Sequence, residues 1–189
     1  SSVIKLFIVL LTTLFPLVAT SVTNAKWTVQ WYHSFNDSLL NQSLELIHEN
    51  PQRALLLANK VVKNARVQND LEKLTAATIL IGNIYVNVDD KPRIEFYLNS
   101  LENEVSTTEN RRILREFAFV KANYLALVSG YSEAEKYLNE KAKKAKTTSD
   151  FESQAQFTLH KAKVQKDYSL YHESLITLHS ALEIALKTT

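Results

Sequence analysis

The chain has 189 residues, 46% of them hydrophobic and 22% charged, with a formal net charge of +2. That is long enough for one domain with a sizeable core, too apolar for a disordered chain, and without the strongly basic face expected of a nucleic-acid binder. Two Gly and three Pro argue against an all-β fold, and zero Cys excludes disulfides, thiolate metal sites and cysteine nucleophiles.

Met is absent as well, so the sequence is expected to begin after its native initiator. The first residues, SSVIKLFIVLLTTLFPLVATSVTNAK, carry one charge at Lys5 and then none until Lys26. Leu6 to Ala19 has about the length of a signal-peptide apolar region, and Thr23 and Ala25 supply small residues for cleavage after Ala25. The other reading is an uncleaved anchor, because the 17 residues from Leu6 to Val22 reach the lower limit for a bilayer span. Either way residues 1–25 direct the rest out of the cytoplasm, to a periplasmic or extracytoplasmic location. Residues 26–34 read as a linker.

Beyond it, helix signals recur. Asn50 before Pro51 and Asp90 before Lys91-Pro92 are N-caps followed by a proline in the first turn. Ser106 with Glu109, Ser132 with Glu135 and Ser149 with Glu152 have capping-box spacing. Gly130 suits the left-handed end of a helix. The marks predict eight helices, at about 35–49, 51–66, 70–88, 91–106, 108–129, 131–146, 149–168 and 170–187.

These helices repeat in pairs at a step of forty residues. Columns run Ala54, Ile94, Ala134, Ser174, then Ala58, Leu98, Leu138, Leu178, and Ala65, Val105, Ala145, Ala185. The preceding helix gives Leu39, Ile79, Phe119, Leu159 and Leu44, Ile84, Tyr124, Val164. A small-residue column follows Gly82, Ala122 and Ala162, with Gln42 out of character. In the helix around Gly82, Leu80, Ile84 and Val88 form one apolar stripe, while Ile79 and Val86 form another nearly opposite. Such a helix must be sandwiched between neighbours, so hairpins stack into a continuous core. The stretch NPQRALLLANKVV is expected to be buried by its own partner helix and by the next unit.

The pattern resembles tetratricopeptide repeats (TPR) in long, degenerate form. Ile81-Gly82 and Tyr85 are similar to the Leu-Gly and Tyr of that motif's first helix, and Ala134 with Leu138 to the alanine and bulky residue of its second. The likeness covers about 35–187, although the units are longer than usual and the motif tryptophan is missing. It implies an all-α right-handed solenoid of four helix hairpins over 35–189. It also implies that the first helices line a concave face.

Chemistry is sparse. The five His, at 33, 48, 160, 172 and 179, are not spaced to chelate an ion, and His172 and His179 lie two turns apart. There is no HExxH, GxSxG or glycine-rich phosphate loop, hence no catalytic residue, metal or cofactor to name. KYLNEKAKKAK reads as an amphipathic helix with a solvated basic side. A narrow polar arc between the two apolar stripes is more suggestive. It comprises Ser43, Asn83, Asn123 and Lys163, flanked by Asn36, Glu116 and Gln156, with Lys166 one turn further on. Amides there can hold a peptide backbone and lysines a carboxylate. The expected function is therefore non-catalytic recognition of a peptide, protein segment or small ligand. By resemblance this is the sensor region of a bacterial membrane signalling protein, of the kind attached to diguanylate cyclases or histidine kinases. The alternative is a secreted adaptor scaffolding an envelope complex. No nucleic-acid partner is expected, a homodimer is compatible, and membrane contact is through the N-terminal segment or a following transmembrane helix.

Overall fold

The computed structural model describes residues 31–188, so the expected export segment lies outside the described residues. Residues 31–34 are helical, and eight further α-helices follow: α1 (Ser38–Glu45), α2 (Pro51–Gln68), α3 (Leu71–Asn87), α4 (Lys91–Val105), α5 (Arg111–Ser129), α6 (Tyr131–Thr147), α7 (Phe151–Asp167) and α8 (Tyr171–Ala185). A 3-10 turn, Leu186–Thr188, closes the chain, and the described residues contain no strand. The fold is all-α and helical-repeat-like.

One local device sets the helix spacing. The residues preceding α2 to α8 are Asn50, Asp70, Asp90, Asn110, Gly130, Asp150 and Leu170, a step of twenty at every join. Five of these side chains cap the next helix: Asn50, Asp70, Asp90 and Asp150 accept from the backbone N–H three residues on, at 3.0–3.3 Å. Asn110 accepts from Arg112 and Ile113. At four joins the previous helix ends one residue earlier, with Asn69, Asp89, Ser149 or Ser169 in the left-handed region at φ 54–61°. Paired backbone bonds close each of these ends: the Asp90 N–H reaches the Tyr85 carbonyl at 2.9 Å and that of Asp89 reaches Val86 at 3.1 Å. The same pairs recur at Asp70–Ala65, Asp150–Ala145 and Leu170–Gln165. This satisfies the orphan carbonyls of one helix and starts the next within two residues. Short joins make sequential helices antiparallel neighbours.

Three expected capping boxes therefore give way. Ser106 ends α4 and donates to the Asn103 carbonyl, Ser132 lies inside α6, and Ser149 is the left-handed residue before Asp150. In each case a residue better placed to accept backbone N–H groups, or a glycine, stands at the twenty-residue position. Gly130, expected to end a helix, is the N-cap of α6 with φ 89° and ψ 172°, a conformation open essentially to glycine alone.

The chain forms two compact units whose boundary falls between Val120 and Lys121, inside α5. In the first, α1 packs on α2, α2 on α3 and α3 on α4. α3 is the sandwiched helix, with Leu74, Thr75, Ala76, Ala77, Ile79, Leu80, Ile81, Gly82, Ile84 and Tyr85 all buried. NPQRALLLANKVV is covered as expected, by its partner α1 and by α3 of the next pair. α2 buries Ala54, Leu57, Ala58, Val61 and Ala65 but leaves Leu56 56% and Val67 79% exposed. Trp31 and Tyr32, in the span read as linker, are buried in this unit. In the second unit α7 packs on both α6 and α8.

Small residues mark the helix crossings. Ser43 on α1 donates to the Ala54 carbonyl on α2 at 2.7 Å, and Ser174 on α8 donates to the Ala162 carbonyl on α7 at 2.8 Å. Ser43 is fully buried while Gln42 is exposed, so α1 sits one residue out of the forty-step register. The cause is its cap at Asp37, outside the twenty-residue series, and a turn over 46–49. Ser43 thus belongs to a crossing and not to the polar arc.

The chain's two glycines make opposite predictions. A Cβ on Gly82 would meet Val120 Cγ1 at 3.5 Å, ordinary van der Waals contact, whereas Gly130 has open space but a forbidding backbone. Gly82→Ala should stabilise by about 0.5–1 kcal/mol through helix propensity. Gly130→Ala should destabilise by about 1–3 kcal/mol through backbone strain. Urea denaturation followed by circular dichroism reads both; a Gly82→Ala that loses stability shows the crossing to be tighter than described.

Candidate functional site

α7 carries the strongest candidate. Seventeen residues long and buried at Ser153, Ala155, Phe157, Ala162, Val164 and Gln165, it nevertheless keeps one polar line. Gln156, His160, Lys163 and Asp167 follow one another at i, i+4, i+7 and i+11, which places them along one face. Lys166 flanks it. Gln156, His160, Lys163 and Lys166 are all half-buried.

Two bonds fix this face against the C-terminal half of α5. His160 Nε2 lies 2.9 Å from Asn123 Oδ1, and with the amide oxygen as acceptor that nitrogen carries the hydrogen. One turn further, the Tyr168 hydroxyl donates to the Ala126 carbonyl. Asn123 is therefore held with its amide nitrogen still available as a donor. Lys163 stands one turn from His160. Burial depresses its pKa; Asp167 pulls the other way and Lys166 adds to the depression. No carboxylate comes within ion-pair distance of its ammonium among the described residues. An ammonium drawn out of water without an ion pair is a costly feature for a stable fold to keep.

The opposite side of α7 is structural. Gln165 Nε2 donates to the Tyr131 hydroxyl at 3.0 Å, and Lys161 joins both Glu135 at 3.0 Å and Asn139 at 3.1 Å, tying α7 to α6. Burial would raise the Glu135 carboxyl, but hydrogen bonds from Tyr131 and Lys161 outweigh it and hold the pKa low. Tyr131 is pushed up to about 12 by burial and by its bond to Glu135. Gln165 Oε1, by contrast, is buried without a hydrogen-bond partner.

The remaining arc residues, Asn83 and Glu116, stand on the 24–120 unit, both half-buried. Glu116 has its pKa raised by burial, with Arg112 and Arg115 opposing. It also helps to raise Tyr32, whose buried hydroxyl has no hydrogen-bond partner. Arg112 lies over the Trp31 ring at 5.7 Å. Asn36 is exposed, at φ 50° in the turn before α1. Sequence reasoning placed Asn123 and Lys163 on one arc but missed His160. Its spacing from Gln156 and Lys163 was the signal that could have found it.

Other candidates are weaker. The basic stretch of α6 borders an open recess lined by Ser132, Glu135, Lys136, Asn139, Glu140 and Lys143, where acids and bases alternate in solvent. Among the described residues no three His, Asp or Glu side chains gather as a metal site, and His179 pairs with Glu183 at 3.4 Å. No described helix is long and apolar enough to cross a membrane. No family model, curated protein or solved structure matches the chain.

The two buried charges predict opposite pH trends. Glu116 has a folded pKa above its unfolded value, so stability falls as pH rises from the ordinary carboxylate range through the raised value. Glu116→Gln should remove that fall, making the variant more stable than the parent at pH 7 and equal to it below pH ~4. Lys163, depressed in the fold, makes stability rise as pH climbs from the depressed value towards the ordinary lysine range, and Lys163→Met should flatten that rise. Thermal melts across pH measure both, and a Glu116→Gln that is less stable at pH 7 would show the carboxylate to be bound and not merely buried.

Proposed function

We infer that the chain is a non-catalytic recognition module, assembled as a TPR-like right-handed solenoid of four helix hairpins. Its α7 face takes the carboxylate of a peptide, protein segment or small ligand. The carrying observation is Lys163: a half-buried ammonium with no ion pair, beside an Asn123 whose amide is fixed by His160. In this reading Lys163 and Lys166 neutralise the carboxylate, while Asn123 and Gln156 bond the flanking backbone. Asn83 and Glu116 present the equivalent polar column in the 24–120 unit, Glu116 suiting an amino group. Only hydrogen bonding and charge pairing are required, so no cofactor or metal enters.

The apolar stretch from Leu6 to Val22 supports placement outside the cytoplasm, as the sensor region of a membrane signalling protein. In that role ligand held between α5 and α7 would favour one arrangement of the helices over another, and α8 would transmit the change. The second reading, a secreted adaptor for an envelope complex, draws support from the exposed apolar edge of α8. A hydrophobic span and output domain encoded beyond Thr189 would favour the sensor over the adaptor.

The test is selection of peptides with free C-termini from a random library on the full chain, beside a variant carrying Asn83→Ala, Asn123→Ala and Lys163→Ala. The variant should bind the selected peptides at least about tenfold more weakly, a loss of about 1.4 kcal/mol, with helicity unchanged. C-terminal amidation should weaken binding to the parent similarly. Equal binding by parent and variant would remove the α7 face from consideration.

A further inference from the structure

Residues 31–35 form a single helical turn that belongs to none of the helix pairs. The Phe35 N–H reaches the Tyr32 carbonyl at 3.3 Å and that of Asn36 reaches His33 at 3.1 Å. Asn36, left-handed at φ 50°, then stops the turn, and Asp37 caps α1. One turn has almost no helical stability of its own, so what orders it is the surface beneath it. Its side chains reach past α1 to two later helices. Trp31 Nε1 donates to Glu72 on α3 at 3.5 Å, and the Arg112 guanidinium of α5 lies over the Trp31 ring at 5.7 Å. Tyr32 is close enough to Glu116 on α5 for that carboxylate to act on it. The helices α3 and α5 adjoin there, with Gly82 facing the Val120 side chain. Trp31 and Tyr32 are buried, while His33 and Ser34 are exposed. The Trp31 ring also touches those of Tyr32 and Phe35, with centroids 5.3 and 5.5 Å away.

Two aromatic anchors turned inward, two polar residues turned outward and an arginine over the larger ring make up the chemistry of a bound peptide. The fit is incomplete in its polar part. The Tyr32 hydroxyl is buried with no hydrogen-bond partner, and the Trp31–Glu72 bond is long. A buried hydroxyl left unpaired weakens the hold that the two rings provide. We propose that residues 31–35 are an internal ligand, an aromatic strap seated on a peptide-binding surface of α3 and the first half of α5. The strap opens about Asn36 while the helices stay folded, and it stands in the place of a segment with the same pair of adjacent aromatic residues from another chain. Its anchorage is short: Asp37, next to Asn36, is held to Lys73 on α3 at 3.6 Å. So tethered, the strap acts at an effective concentration of order millimolar and excludes an outside segment until it lifts. Glu116 stands beside Tyr32 while the strap is seated, so the polar column assigned above to the 24–120 unit opens only with it. That consequence rests on the earlier assignment; the strap does not.

Two measurements on the full chain test this. Hydrogen exchange of the Trp31 indole N–H is read by NMR, with Trp27→Phe removing the only other indole signal. A strap that opens locally leaves this proton at least about tenfold less protected than the backbone amides of Leu80 and Ile81 in α3. Equal protection would make Trp31 part of the cooperative core and overturn the proposal. The second measurement uses the peptide QWYHSFN, residues 30–36, acetylated and amidated so that it carries no carboxylate for the α7 site. Calorimetry compares the parent with a variant carrying Trp31→Ala and Tyr32→Ala. The variant should bind the peptide at least about tenfold more tightly, because the parent's own strap competes. The control peptide QAAHSFN should bind neither. A folded variant that ignores QWYHSFN overturns the proposal, and if the variant does not fold, the exchange of Trp31 in the parent decides alone. Neither measurement depends on the α7 carboxylate site, which peptides with free C-termini test separately.

Discussion

Helices that stop and restart within two residues impose most of what this protein is. A left-handed residue followed by an aspartate ends one helix, satisfies its last carbonyls and caps the next, at 69–70, 89–90 and 149–150. Left-handed backbone at a non-glycine residue costs about 1 kcal/mol, and a side-chain cap returns a similar amount, so neither half of the device is strong by itself. Its effect is geometric. Because the interval is twenty residues at every join from Asn50 to Leu170, equivalent residues arrive at equivalent heights on successive helices. Small residues can then meet at crossings, and serine hydroxyls can reach a neighbouring helix's carbonyl at 2.7–2.8 Å. Where the interval fails, at Asp37, the columns slip by one and Ser43 takes the place expected for Gln42.

The helices and their pairing were legible in the sequence because they rest on features that are local and periodic. The forty-residue columns contain Ala54, Ala58 and Ala65, all fully buried, and the bounds of α2, α4 and α6 fall within two residues of those expected. The twenty-residue series went unread because its members change chemistry. Asn, Asp, Gly and Leu do not look like one column, although their backbones occupy one position. The capping boxes misled for a related reason: a serine followed three residues on by glutamate is common on a polar helix surface. Only the register against Asp150 or Asn110 shows which residue is the cap. α2 is covered by α1 and α3 as expected, but a helical wheel does not show which apolar residues lie outside that cover. Leu56 and Val67 lie outside it and are exposed.

The candidate site was half legible. Polarity on an otherwise buried helix pointed to Asn123 and Lys163, but the contact that organises them runs between α5 and α7 and needs a third residue, His160. Side-chain hydrogen bonds between residues 37 positions apart leave no periodic trace in one sequence. The contrast with Lys161 is instructive. Two positions away on the same helix, that lysine is held by Glu135 and Asn139, and its charge is fully used in joining α6 to α7. Lys163 has the same chemistry and no ion pair, and burial depresses its pKa.

The same logic of used and unused groups separates equivalent edges of the repeat. A forty-residue column fixes where a residue stands but not what covers it, and the covering element selects the chemistry. At 131, 135 and 139 the cover is α7, built into the chain, and hydrogen bonds and an ion pair can be satisfied permanently. At 171, 175, 182 and 186 no α-helix follows among the described residues, and the side chains are aromatic and aliphatic. A charged edge in that place would be stable in water and indifferent to partners. An apolar edge lowers solubility and gains only when something sits against it.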